Sequence, residues 1–323
     1  MKITNKYGLT GPTYRAICAI QELYDAGDAD YSATTLIRPP RMVQLERRHW
    51  DEIEVDVSRL IWSVWGTIGH EIITKYGIKR PSKRLYMKVL GKLVGGLDDY
   101  YDEEEKMIVD YKFTKLNALG YDKIYEEWTK QLNTYALLYR VNGLEVEQLR
   151  IEAWIRDHED WKAANDPRYP QAAIVQLAVP LWPEHVQSEY VHDRVEAHAA
   201  AESLPDDELP ECTPEECWEI RAGYAVYDRR SFTGRALRVL PTLEEAEEWG
   251  RQWIEECLRT RKYKQRPPLY WVYRPGERIR CQRHCLVAEF CNQYKEWREY
   301  KNGFIGPRYR GEKKARVWQT LRI

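Results

Sequence analysis

The chain has 323 residues, and its 50 Lys and Arg side chains almost balance its 51 Asp and Glu side chains, giving a formal net charge of −1. A chain of this length can bury a substantial core, and it predicts one main domain with an accessory domain. No apolar run approaches the length of a membrane span and the first residues lack the apolar segment of a signal peptide, so we expect a cytoplasmic protein without a membrane partner.

Helices and strands are predicted to alternate along most of the chain. A helical lead-in covers residues 1–30, and a helix over 51–76 ends at Gly77. Apolar runs and periodicity predict strands at 85–94, 107–113, 148–155 and 173–179, and helices at 121–141 and 183–201. A smaller α/β unit follows, with strands near 224–227, 236–239 and 270–273 and a helix over 243–260. This order predicts the α/β class, with a mixed sheet flanked by helices.

The predicted elements and the distribution of charge together divide the chain into four segments. We expect a main domain at 1–201, an acidic linker at 202–210, an accessory α/β unit at 211–297 and a basic tail at 298–323. The last 23 residues contain seven Lys or Arg against one Glu, with Tyr309 and Trp318 among them. Two interpretations of this tail remain open: a solvated end, or a contact with a nucleic-acid backbone and its bases.

The stretch GGLDDYYDEEEKMIVDYK, residues 95–112, carries the strongest chemical signal. Asp98 follows a Gly-Gly-Leu turn, and an apolar run leads into Asp110 with Lys112 two positions on. Because side chains alternate faces along a strand, Asp110 and Lys112 point to one side and Tyr111 to the other. Two carboxylates near an ammonium can hold Mg²⁺ or Mn²⁺ beside a water and a phosphodiester.

Two further motifs flank this stretch in a fixed order. Gly66 and His70 form a G-x-x-x-H motif upstream, and Gln131 and Tyr135 form a Q-x-x-x-Y motif on the helix predicted at 121–141. With the D-Y-K strand, this combination resembles the PD-(D/E)XK nuclease superfamily, in its RecB-like branch of CRISPR adaptation nucleases and phage-type exonucleases. The resemblance implies a restriction-endonuclease-like fold.

The resemblance also implies a role for each acidic residue. Asp98 and Asp110 would bind one or two Mg²⁺ or Mn²⁺ ions, and His70 and the main-chain carbonyl of Tyr111 would complete the ligands. Asp99 competes with Asp98 for the first position, and the Gly-hydrophobic-Asp register favours Asp98.

The remaining motif residues would assist the reaction. Lys112 would orient or deprotonate the attacking water and offset charge in the transition state. Gln131 would position Lys112 or the water, Tyr135 would contact a phosphate, and Glu71 would act as an outer ligand.

The expected activity is therefore metal-dependent hydrolysis of DNA, as an exonuclease in recombination, repair, replication or end processing in a phage or bacterium. The chain has no Gly-rich Walker loop, so a helicase or recombinase partner would be a separate protein. The oligomeric state is left open. Two alternatives are an inactive nuclease-fold factor that binds DNA or assembles with other proteins, and a metal-thiolate regulatory protein.

Three cysteines near the end of the chain form a second candidate site. Cys281, Cys285 and Cys291 give a C-x₃-C-x₅-C pattern beside Arg280 and Arg283, and nearby cations favour the thiolate that metals require. The iron–sulfur members of the RecB-like branch have a similar pattern, which implies a [4Fe–4S] cluster here, with a structural Zn²⁺ as the alternative.

The fourth ligand of such a site is less clear. In the family it usually lies upstream of the nuclease core, and the comparable segment at 34–41 contains no cysteine. Cys212, in the Pro-rich stretch LPECTPEECW that also holds Cys217, is favoured narrowly over Cys18. Cys257 lies on an apolar helix stripe and is predicted to be core.

Overall fold

A computed structural model of the protein describes residues 1–22, 27–79, 82–120, 122–228, 235–260, 267–304 and 319–320. The chain forms two compact units, a first unit at Met1–Glu211 and a second unit at Cys212–Ile323. The acidic stretch 202–210 lies within the first unit, where Arg48 Nη1 is 2.7 Å from Asp206 Oδ1. Most of the basic tail, residues 305–318 and 321–323, lies outside the described residues.

The first unit alternates helices and strands as the sequence predicts. Short 3₁₀ helices at Val57–Leu60 and Leu116–Gly120 join some of them. In chain order its elements are β1 (Lys2–Thr4), α1 (Gly11–Glu22), β2 (Tyr31–Ser32), α2 (Ala33–Leu36), α3 (Pro40–Arg48), β3 (Glu54–Asp56), α4 (Ile61–Tyr76), β4 (Leu85–Val89), β5 (Lys92–Gly96), β6 (Tyr100–Asp102), β7 (Met107–Thr114), α5 (Asp122–Val141), β8 (Gln148–Ile155), α6 (Asp160–Asn165), β9 (Ile174–Val179) and α7 (Glu184–Glu202).

The largest sheet of this unit is mixed. Its strand order is β6-β7-β8-β9, in which β7 and β8 run parallel while the two outer pairings are antiparallel. A second sheet has the order β2-β5-β4. Parallel pairing of β7 with β8 requires a crossover, and α5 supplies it. The predicted α/β class, with mixed sheets flanked by helices, is confirmed.

Helix α5 lies at the centre of the core. Leu132, Ala136 and Leu138 are almost fully buried and belong to one cluster with Ile108 of β7 and Ile151 of β8. Nearly every residue from Thr129 to Tyr139 is buried, so α5 is covered on all sides and not only along its apolar stripe. Polar side chains on such a helix need partners inside the protein, which restricts where they can point.

Three predictions for the first unit were wrong in their bounds. Within the described residues of the helical lead-in predicted at 1–30, the helix covers only Gly11–Glu22, and Lys2–Thr4 forms β1. The strand predicted at 85–94 is a hairpin of β4 and β5, because Leu90 and Gly91 adopt left-handed conformations with φ of 50° and 76° that reverse the chain. The helix predicted over 51–76 begins only at Ile61. Before it, β3 pairs with β1, and the Asp56 carboxylate accepts from the amide of Ser58 and starts a 3₁₀ turn.

Helix α4 approaches β7 closely through Gly69. A Cβ atom there would lie 2.1 Å from the Phe113 ring, whereas a Cβ at Gly66, one turn earlier, would meet nothing within 4 Å. We expect Gly69→Ala to lower the free energy of unfolding by about 1–3 kcal/mol through overpacking. Gly66→Ala, its matched control, should raise that free energy by about 0.5–1 kcal/mol through helix propensity. Urea unfolding of both variants measures this, and equal midpoints would contradict the close packing.

The second unit builds a small sheet with a helix packed on it. The strand order is β12-β11-β13-β15, and Ile254 and Ala246 of α8 are buried with Val226 and Trp271 of the sheet. Its elements are β10 (Glu219–Ile220), β11 (Gly223–Tyr227), β12 (Arg238–Leu240), α8 (Leu243–Arg259), β13 (Tyr270–Arg274), β14 (Glu277–Arg278), α9 (Ile279–Arg283), α10 (Asn292–Phe304) and β15 (Gln319–Thr320).

Helix α10 runs across the boundary expected between residues 297 and 298. Among the described helices of the chain, none combines the length and apolarity that crossing a membrane requires.

Candidate active site and thiol cluster

Strand β7 places Asp110 and Lys112 on one side, as the alternation of side chains predicts, and helix α5 brings Gln131 next to them. Lys112 Nζ lies 2.7 Å from Asp110 Oδ2 and donates to Gln131 Oε1 at 3.1 Å. Burial raises the pKa of Asp110, an effect that Lys112 opposes and the neighbouring Asp99 increases. A carboxylate this deeply buried requires nearby positive charge to remain ionised. The structure therefore brings Asp110, Lys112 and Gln131 together.

Asp99, and not the favoured Asp98, faces this group. Asp99 Oδ1 lies 3.0 Å from His70 Nδ1, and Asp99 Oδ2 accepts from the main-chain amide of Tyr111 at 2.8 Å. Burial lowers the pKa of His70, but the hydrogen bond and charge of Asp99 outweigh burial and raise it. Asp99 thereby links α4 to β7, beside Asp110.

Asp98 points away from Asp110 into the protein. Its carboxylate accepts from Ser82 Oγ at 2.8 Å and from the Tyr139 hydroxyl at 2.9 Å. Burial raises its pKa, and these two hydrogen bonds oppose that effect. Successive side chains of an extended segment face opposite ways, so only one of Asp98 and Asp99 can turn toward β7. In the structure Asp99, and not Asp98, therefore lies beside His70 and the Tyr111 amide, while the choice of metal ligand between the two stays a prediction.

Gln131 and Tyr135 extend the group along α5. Gln131 Nε2 donates to the Tyr135 hydroxyl at 3.2 Å, and both side chains are buried. Burial and the nearby Asp110 carboxylate raise the pKa of Tyr135, which therefore stays protonated. Tyr135 is 6% exposed beside Gln131, whereas Glu71 on α4 is exposed.

The donor set suits a hard divalent cation. Asp110 Oδ2 is buried and, among the described residues, has no hydrogen-bond partner of good geometry, although the Lys112 ammonium is near. Buried polar atoms are rarely left in that condition. Asp110, Asp99 and His70 offer carboxylate oxygens and one imidazole nitrogen, and the Tyr111 carbonyl can add a main-chain oxygen. By their chemistry, carboxylate and main-chain oxygens are the kinds of ligand that Mg²⁺ and Mn²⁺ prefer.

Five cysteines of the second unit lie on two segments that are hydrogen-bonded to each other, and we call Cys212, Cys217, Cys281, Cys285 and Cys291 the thiol cluster. A main-chain hydrogen bond and two bonds of the Gln293 side chain hold the two distant segments together. The Arg280 amide donates to the Cys217 carbonyl at 3.1 Å, and Gln293 both accepts from the Cys212 amide at 3.0 Å and donates to its carbonyl at 2.8 Å. The segment before β10 is thus attached beside Cys281 and Cys291.

The thiols also interact with one another. Hydrogen bonds from Cys212 and Cys281, supported by the Arg278 and Arg280 charges, lower the pKa of Cys217 against the effect of burial. The pKa values of Cys212 and Cys281 are raised, first by their hydrogen bonds with Cys217 and then by burial. A lowered pKa favours the thiolate, which is the form that metals bind.

Cys217 is a further candidate for this site, because it forms hydrogen bonds with Cys212 and Cys281. Cys217 is almost fully buried, whereas Cys212 is partly exposed. Cys18 belongs to α1 of the first unit, and Cys257 is buried on α8. The sequence favours Cys212, which precedes a predicted helix start at Thr213 and Pro214, and nothing in it indicates the hydrogen bonds that Cys217 forms.

Comparison with known proteins adds little to this geometry. No protein-family model matches the chain, and no curated protein sequence is significantly similar to it. Among solved structures, the protein SSO0001 matches with a TM-score of 0.41 and 14% identity, over 64% of this chain and 88% of its own. A phage-related exonuclease from Haemophilus somnus 129PT matches with a TM-score of 0.26 and 13% identity, over 61% of this chain and 86% of its own. At TM-scores below 0.5 these likenesses establish no shared activity.

The two neighbouring aspartates can be distinguished by substitution. We expect Asp99→Asn to reduce metal-dependent DNA cleavage by roughly 10²-fold with little loss of stability, because it removes the charge of a proposed metal ligand while the amide oxygen can still accept from the Tyr111 amide. Asp98→Asn should keep cleavage near the wild-type rate. The Asp98→Asn variant should lose about 1–3 kcal/mol in free energy of unfolding, because either the Ser82 or the Tyr139 hydroxyl then faces the amide NH₂ group instead of a carboxylate oxygen. Initial rates and urea midpoints measure both effects, and the opposite outcome would restore Asp98 as the ligand.

Proposed function

We propose that the chain is a metal-dependent DNA nuclease of the RecB-like PD-(D/E)XK type, with a restriction-endonuclease-like fold. One observation supports this most strongly. Lys112 lies between the buried Asp110 carboxylate and Gln131, next to the Asp99–His70 pair. The mixed sheet with a parallel β7–β8 pair around α5 supplies the frame on which such a site is built.

Each side chain has a role in phosphodiester hydrolysis. A divalent cation held by Asp99, Asp110, His70 and the Tyr111 carbonyl would activate a water and polarise the phosphate. As an ammonium, Lys112 orients that water and offsets charge as the phosphate becomes pentavalent, and only in its neutral amine form could it take up the proton of the water. Gln131 holds the Lys112 ammonium, and Tyr135 fixes the amide of Gln131. Tyr135 thus positions Gln131 in this scheme, and its contact with a phosphate stays a prediction.

The thiol cluster is proposed as a structural metal site of the second unit. Cys281, Cys285 and Cys291 supply three ligands, and Cys212 or Cys217 supplies the fourth. Four thiolates suit a [4Fe–4S] cluster, with Zn²⁺ as the alternative. Since metal binding and folding are coupled, the cluster would stabilise the loop segments that carry these cysteines.

The proposed substrate is DNA, and the proposed action is exonucleolytic end processing in a phage or bacterial pathway. A helicase or recombinase would act as a separate partner. The basic tail is a proposed contact with the DNA backbone. Most of its residues lie outside the described part of the chain.

Cleavage of end-labelled DNA tests the function. Single- and double-stranded substrates with Mg²⁺ or Mn²⁺ should be shortened from an end, and EDTA should stop the reaction while any visible absorbance of a thiolate cluster stays unchanged. DNA binding without cleavage under every metal condition would support the inactive DNA-binding alternative instead.

A further inference from the structure

The first turns of helix α4 expose two large aromatic side chains. Trp62 is 53% exposed and Trp65 is 55% exposed, and their spacing of three residues makes them neighbours on the helix surface. Tryptophan is highly buried on average in folded proteins, so two adjacent exposed tryptophans indicate a binding surface.

Two cations lie against Trp62. Arg156 Cζ is 3.9 Å and Lys115 Nζ is 5.9 Å from the centroid of the Trp62 ring. Lys115 directly follows β7 and Arg156 directly follows β8, so the parallel pairing of these strands brings both cations to one end of the sheet. Within the described part of the chain, neither cation forms an ion pair with a carboxylate.

This combination favours a nucleic-acid strand over an apolar partner. An aromatic face accepts a stacked base, and unpaired cations neutralise the adjoining phosphates. Trp62 keeps half of its surface exposed with Arg156 against it, so the ring still offers area to a base. A purely apolar protein partner would leave the two cations buried without counter-charges, which is costly.

The surface lies within a short strand length of the candidate metal site. Along β7, the five residues from Asp110 to Lys115 span roughly 16 Å at the rise of a strand. Along α4, the eight residues from His70 to Trp62 span roughly 12 Å at the rise of a helix. A stacked DNA strand advances about 3.4 Å per nucleotide, so the separation corresponds to about four nucleotides.

We propose that Trp62, Lys115 and Arg156 form a subsite for single-stranded DNA, with one base stacked on Trp62 about four nucleotides from the cleavage position and Trp65 beside it. Bases in an intact duplex are already stacked and paired, so this subsite selects a single strand or a single-stranded end. The inference rests on the proposed nuclease function, because it specifies the form of DNA that this site accepts.

Binding measured without cleavage tests the subsite independently of activity. Affinity of the full chain for a fluorescent oligothymidylate and for a blunt duplex is determined in EDTA by anisotropy. Trp62→Ala should weaken single-strand binding by about tenfold, the loss expected for one stacked base, and leave duplex binding unchanged. Trp62→Phe should retain most of the affinity, and Arg156→Ala should reduce the salt slope by about 0.7.

Trp50→Ala is the matched control, because Trp50 is exposed to a similar degree and, in the described residues, no cation lies over its ring. Unchanged single-strand affinity of folded Trp62→Ala would overturn the subsite, as would an equal loss for duplex. A change of oligomeric state in Trp62→Ala, seen by sedimentation with DNA affinity intact, would overturn it in favour of a contact between copies of the chain. Absence of cleavage in the wild type would refute the nuclease function but would leave the binding result interpretable.

Discussion

Asp110→Asn and Lys112→Ala are each expected to reduce DNA cleavage by at least ~10²-fold while the chain remains folded. Asp110 is the most buried carboxylate of the candidate site and its pKa is raised by burial, so a neutral amide of the same shape is easily accommodated. The loss should therefore appear in turnover and not in stability.

Lys112→Ala differs in one respect. It leaves the Asp110 carboxylate buried without its counter-charge, so some stability should be lost together with activity. Lys88→Ala, an exposed lysine on β4, serves as the control and should change neither. Near wild-type turnover in purified, folded Asp110→Asn or Lys112→Ala would show that this is not the active site.

Removing a cysteine of the thiol cluster is expected to have the second large effect. Cys281→Ala, Cys285→Ala and Cys291→Ala should each lose bound metal and destabilise the second unit more than the first, because metal binding free energy is folding free energy. Anaerobically purified wild-type protein should be brown and contain about four iron atoms per chain. Metal analysis with protease sensitivity of the second unit measures both effects.

Cys212→Ala and Cys217→Ala identify the fourth ligand, since only the true ligand should reduce metal content as strongly as Cys281→Ala. Cys18→Ala, in the first unit, should leave metal content unchanged. One zinc per chain without visible absorbance would favour the zinc alternative. Absence of both metals in freshly purified protein would refute the site.

Much of the active-site arrangement follows from local periodicity. Alternation along one strand places Asp110 and Lys112 on the same side, and a four-residue spacing on one helix places Gln131 next to Tyr135. The structure realises both relations, and it joins them through the Lys112–Gln131 hydrogen bond. Such relations depend only on backbone geometry within a single element, so a sequence can predict them.

The remaining features depend on contacts between distant segments. Asp98 and Asp99 are adjacent and chemically identical, and contacts with Tyr139 and His70 decide which of them faces β7. Likewise, the Arg280 amide and the Gln293 side chain determine where Cys217 and Cys212 lie, across more than sixty residues of chain. No pattern within either segment contains that information.

Direct measurement of Mn²⁺ binding tests the central claim, because it separates the metal site from every later step of the reaction. Free Mn²⁺ is followed by electron paramagnetic resonance as full-length protein is titrated, for the wild type and for Asp110→Asn, Asp99→Asn and Asp98→Asn. We expect the wild type and Asp98→Asn to bind about one or two ions per chain, and both Asp110→Asn and Asp99→Asn to lose that binding. Undiminished Mn²⁺ binding by folded Asp110→Asn and Asp99→Asn would contradict the proposed site.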